Sequence, residues 1–141
     1  MLKYAILPAF LLGAFCGGIA IDILGAQELP SARIFEIRTY TVAEGQLPAL
    51  NSRFRENTVR LFSQHGMESI GYWTPVDSAL SQTTLVYILA HPSREAAAQN
   101  WAAFGADTTW RRVRAATEAQ GLRVLRVESE FVVPTDYSML K

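Results

Sequence analysis

Apolar and polar positions alternate with a period of two over residues 33–41, RIFEIRTYT. Phe35, Ile37 and Thr39 share one strand face, and Glu36, Arg38 and Tyr40 share the other. Beyond Gly45 the period lengthens to that of a helix. Over residues 46–64, Leu47, Leu50, Phe54, Leu61 and Phe62 form an apolar stripe, while Arg53, Arg55, Glu56 and Arg60 supply the solvent side. Pro48 is tolerated in the first turn, and His65-Gly66 closes the helix, glycine being the usual residue just past a helix end. Residues 67–74 then read as a strand stopped by Pro75, and the small, polar residues 76–82 as a hairpin turn. The clearest strand is 83–91, rich in β-branched and aromatic residues and ended by Pro92. Ser93 caps a helix over 94–105 that buries Ala97, Trp101 and Phe104. Asp107 caps another, reaching Gln120, with Trp110 and Val113 inward and Gly121 as its stop. A last strand, 122–133, precedes a polar tail, 134–141.

The order β-α-β-β-α-(α)-β predicts an α+β fold of the ferredoxin-like type, a split β-α-β-β-α-β with an antiparallel four-stranded sheet and helices on one face. One sheet face is then left uncovered. Assigning Glu36, Arg38 and Tyr40 to that open face, joined by Leu85, Tyr87, Leu89 and His91, gives a surface too apolar for water. A second copy packed sheet against sheet would bury it, and two-fold dimers are the commonest soluble oligomers. The expected partner is therefore another copy of the chain, the pair enclosing a barrel-like interior.

Residues 4–21 carry no charge and follow Lys3, the pattern of an export leader. Residues 1–26 read as a signal peptide, with small residues placing cleavage after Ala20 or after Ala26. The same run just reaches the length of a membrane anchor, ~18–20 apolar residues. The expectation is a periplasmic or secreted protein, with tethering through residues 4–21 as the alternative. Cys16 follows Phe15, where a lipid-attachment site wants a small residue. The folded domain is expected over 33–133.

Composition narrows the chemistry. Half of the 141 residues are hydrophobic and 11% aromatic, which excludes a disordered chain. Thirteen basic and thirteen acidic side chains cancel, leaving no field to gather nucleic acid. The lone Cys16 excludes a disulfide scaffold. No metal is expected, since no histidines stand at ligand spacing and the domain has no cysteine; no cofactor is expected either. Phosphate loops, nucleophile elbows and dinucleotide fingerprints are absent from the sequence.

Of the two histidines, His91 at a strand end, near Tyr87 and Glu36 or Arg38, is the better pocket base, against the plainer reading of a barrel-rim residue. His65 more simply closes a helix. Glu36 and Arg38, two apart, share a face and suit either an acidic or carbonyl ligand or a charge network at a subunit interface. Tyr40, Tyr72, Tyr87 and Trp73 suit an apolar cavity or ordinary core filling. Arg111, Arg112 and Arg114 read as a solvated helix face, Arg114 pairing with Glu118 one turn on.

FEIRTYT followed by Gly45, then Gly66 with Gly71-Tyr72-Trp73, the strand ending at His91, and Asp107 with Trp110 together resemble the NIPSNAP family over residues 34–133. The resemblance implies a dimeric α/β-barrel of ferredoxin-like subunits, related in fold to antibiotic-biosynthesis-type monooxygenases and haem-degrading enzymes. It implies no reaction. Two positions depart from the pattern: His91 stands where many relatives have tyrosine, and an arginine-rich helix start is reduced to Arg94. The function expected is binding of a small apolar or aromatic molecule in a cavity lined by Glu36, Arg38, Tyr40, Tyr72, Tyr87 and His91. A cofactor-independent monooxygenase using the same cavity, and a membrane-tethered interaction module, are the alternatives.

Overall fold

A computed structural model describes residues 33–76 and 79–141; the leader read over 1–26 lies outside them. Four strands, β1 (Ile34–Val42), β2 (Glu68–Trp73), β3 (Thr84–His91) and β4 (Val124–Val132), form one antiparallel sheet in the order β2-β3-β1-β4. The first helical arm comprises α1 (Leu47–Arg53), a π-helical turn (Phe54–Thr58) and α2 (Val59–Gln64). Helices α3 (Arg94–Ala106) and α4 (Thr108–Ala119) fill the second connection. This is the split β-α-β-β-α-β arrangement expected, with β3 inserted between β1 and β2.

The predicted caps hold. Ser93 accepts a bond from the backbone N–H of Ala96 (3.1 Å), and Asp107 one from that of Trp110 (2.8 Å). Gly66 and Gly121 follow their helices with φ of 72° and 101°, left-handed conformations that glycine adopts without a steric penalty. Gly71 serves differently: a Cβ there would meet the Trp73 ring at 2.6 Å, so the glycine lets that ring fold back along β2.

The core lies between the sheet and the helices. Phe54 stands at its centre, edge-on to Tyr40, Phe62, Tyr72 and Tyr87 at 5.3–6.1 Å between ring centroids. Leu50, Leu61, Leu89 and Met67 are sealed around it, each worth about 1.5–3 kcal/mol of burial.

This packing inverts the expected face assignment. Glu36, Arg38, Tyr40, Leu85, Tyr87, Leu89 and His91 do share one face, but it is the face the helices cover. Trp101 of α3 bonds Glu36, and Phe54 and Phe62 of the first arm pack on Tyr40 and Tyr87. The open face instead carries Phe35, Ile37 and Thr39, which pair with Ala90, Ile88 and Val86. The polar tail returns beside it, with Pro134, Ser138 and Leu140 near Phe35 and Ile88. Trp73, read with the cavity aromatics, lies on this open face by strand alternation.

Candidate functional site

Two tiers of polar residues lie on the helix-covered face. The inner tier is built around Glu36, which is 1% exposed. Its Oε1 accepts from Arg38 Nη1 and Ser129 Oγ, both at 2.6 Å. Its Oε2 accepts from Trp101 Nε1 at 2.7 Å and His91 Nε2 at 3.0 Å. Strand register explains the convergence. Arg38 lies one position along the same face and opposite Ser129, while His91 comes from the end of the neighbouring β3. Burial alone would raise the Glu36 carboxyl, but bonds from His91, Ser129, Trp101 and Arg38 prevail and lower it to about 2.

Burial works against the Arg38 charge, yet Tyr87, then Tyr40 and its bonded partner Glu36, hold it above its ordinary range. Its guanidinium also lies 4.2 Å from the Trp101 ring centroid. The charge pair read as a subunit-interface network is therefore satisfied inside one chain. His91 is fully buried rather than at a rim. Its ring is held by Glu36 through Nε2, and Nδ1 has no hydrogen-bond partner among the described residues. Tyr87 is equally sealed, its hydroxyl beside Tyr40 and Arg38 but in no well-formed hydrogen bond among the described residues, and burial pushes it well above the usual phenol range. Tyr72 stacks on Tyr87 at 5.6 Å and shares a bond with Ser69 (2.6 Å). His65 ends α2 as expected, and in addition bonds Asp107 at 2.9 Å, tying the first helical arm to the start of α4.

The outer tier is a cleft of about 430 Å³ between α4 and the inner face of the β1–β4 pair, within the size range of small-molecule sites. Tyr40, Trp110 and Val127 line it with Arg53, Arg114, Glu118 and Arg123. The helices leave β4 largely uncovered, so Val127 and Ser129 are exposed although they face the helix side. Tyr40, Arg38 and Glu36 pair in turn with Val127, Ser129 and Phe131, so a strip of inner face runs from the cleft to the Glu36 cluster.

Of the six cavity candidates, the structure brings Glu36, Arg38 and His91 into one bonded cluster, Tyr72 and Tyr87 into the aromatic core, and Tyr40 alone to the cleft wall. Arg53, expected on the solvent side, is instead only 4% exposed. It stands three residues after Leu50 and next to Phe54, at the edge of the apolar stripe, a placement visible in the spacing. Among the described residues its one bond is a long one, 3.4 Å, from Nη1 to Thr117. Trp101 and Trp110 pack against the core as read, and in addition Trp101 donates to Glu36 and Trp110 lines the cleft.

The NIPSNAP family model matches residues 35–139, and the chain belongs to that family. Two solved Agrobacterium tumefaciens structures agree. One NIPSNAP family protein is 20% identical, with a TM-score of 0.68, over 77% of this chain and 99% of its own. A second, described as of unknown function, is 23% identical, with a TM-score of 0.67, over 79% and 96%. A variant of SnoaB, a cofactor-independent oxygenase from Streptomyces nogalater, is 12% identical, with a TM-score of 0.50, over 77% and 97%. Identities this low show a shared fold. No curated protein matches the chain.

Proposed function

We propose that this NIPSNAP chain binds a small molecule with an apolar or aromatic body, and that the site is the cleft between α4 and the β1–β4 pair. The observation that carries the reading is the cleft itself, about 430 Å³ walled by two aromatic rings and Val127. The Glu36 cluster supports the wall behind it: with both carboxylate oxygens engaged twice, it fixes β1, β3, β4 and α3 relative to one another. This moves the expected binding site from the interior of a dimer to the interior of each subunit. Oxygen chemistry on a bound substrate is less well supported, because His91 is sealed in the inner tier and does not line the cleft.

The test is native mass spectrometry of the full chain purified from its own host, compared with Val127→Trp. Val127 is 44% exposed on a strand, so a large aromatic is tolerated there while it fills the cleft. The wild type should carry a reproducible extra mass that the variant lacks. Equal occupancy of both would place the molecule elsewhere. The same spectra test two further proposals: a homodimer through the open face bearing Ile37, Ile88 and Trp73, and removal of the leader, which would give a mass beginning at Ile21 or Gln27.

A further inference from the structure

Two guanidinium groups are buried on the helix side of the sheet, and the chain supplies a counter-ion for one of them. Arg38 has the Glu36 carboxylate at 2.6 Å. Arg53, more deeply buried at 4% exposed, has no carboxylate within 4 Å among the described residues, and its Nε makes no hydrogen bond there. The Trp110 ring, 5.3 Å from the Arg53 guanidinium, offers its π face and no acceptor atom. A buried cation with no carboxylate in contact, helped only by a long bond to Thr117 and the more distant Glu118 charge among the described residues, is costly, and this one lines the cleft described above. The other charges around that cleft are Arg114, Arg123 and Glu118. Glu118 is already held by Arg114 at 2.7 Å, leaving a net positive surround. The π-helical turn begins at the residue after Arg53; such turns concentrate at functional sites.

We infer that the cleft takes an acidic ligand, a carboxylate or comparable anion on an apolar or aromatic body, with Arg53 as the group that receives the anion. The inference rests on the cleft being the ligand site. A guanidinium presents parallel N–H donors that a carboxylate accepts in a fork; with the Arg53 Nε shielded from solvent, the anion would meet the terminal Nη donors first. The apolar body would then lie along Tyr40, Trp110 and Val127, with Arg123 near the mouth.

Calorimetric titration of the full chain with naphthalene-2-carboxylate and with the uncharged naphthalene-2-carboxamide tests this. The acid should bind roughly 10- to 100-fold more tightly than the amide, as a charge-assisted bond to a buried group requires. Arg53→Met should bring the two affinities together by weakening the acid far more than the amide, and Arg53→Lys should restore part of the preference. Should Arg53→Met fail to fold, the Arg53 Nε–H resonance of the wild type decides: it should shift with the acid and stay with the amide. Equal binding of acid and amide would overturn the anion site and leave the cleft reading standing. Binding of neither at millimolar concentration would overturn both.

Discussion

Glu36→Gln probes the cluster behind the cleft with the smallest possible change of shape. A carboxylate accepts at both oxygens; a carboxamide offers one oxygen and one NH2. Ser129 can turn its hydroxyl to accept, and His91 can exchange tautomers so that Nε2 accepts. Arg38 and Trp101 can only donate, and they sit on opposite oxygens of Glu36. Whichever way the amide turns, its NH2 therefore meets an N–H, and the buried Arg38 loses its counter-ion. Breaking one partner of a buried pair costs about 3–5 kcal/mol, a large part of the ~5–15 kcal/mol that holds a domain folded. Urea unfolding at neutral pH should show that loss with an unchanged m-value, and Tm should fall by roughly 12–20 °C at about 4 °C per kcal/mol. The pH dependence is a second check. The folded carboxyl, at about 2 against an ordinary 4.5, is depressed. Its contribution is complete above pH 4.5 and is lost as pH falls toward 2, amounting to about 3 kcal/mol. Wild type and variant should therefore converge by about that amount on acidification. A penalty under ~1 kcal/mol at neutral pH, or a gap that ignores pH, would refute the reasoning.

Tyr87→Phe removes a sealed hydroxyl that lies beside Tyr40 and Arg38 without a well-formed hydrogen bond, so stability should change by less than ~1 kcal/mol in urea titration; a larger loss would reveal a bond to Tyr40 or Arg38. Gly66→Ala places a Cβ at φ 72° and 3.1 Å from the Asn100 side chain, which should cost about 1–2 kcal/mol by the same assay. Ser93→Ala loses the cap on α3 and should cost about 1 kcal/mol, read from thermal unfolding. Ile88→Glu puts a charge in the middle of the open face; if that face joins two copies, light scattering should show the dimer giving way to monomer with the fold retained by circular dichroism.

Much of this architecture was legible in the sequence because each element carries its own stop signals. Gly66, Pro75, Pro92, Ser93, Asp107 and Gly121 punctuate the chain near the observed boundaries, β1 alternates, and β3 is a run rich in β-branched and aromatic residues. Which face of β1 turns inward was not legible, because both faces are amphipathic. Phe35 and Ile37 look like core, whereas Glu36 and Arg38 look like surface. Glu36 and Arg38 nevertheless turn toward the helices, and Phe35 is buried on the other face beside the C-terminal tail; four donors, from β1, β3, β4 and α3, converge on Glu36, and such convergence has no local signature. Arg53 was misjudged for a related reason. A charge at the edge of a helical stripe is ordinarily solvated, and only the crossing of α4 over it, with Trp110, encloses it. The π turn leaves no compositional trace in FRENT.

The claim that the ligand site lies between sheet and helices is tested most directly by the three tryptophan indole N–H resonances, which sample three places. Trp110 lines the cleft, Trp101 is bonded to Glu36 behind it, and Trp73 lies on the opposite sheet face. On titration with naphthalene-2-carboxylate, the Trp110 resonance should move most and that of Trp73 should stay in place. Movement of Trp73 with Trp110 unchanged would put the ligand on the open face and contradict the account.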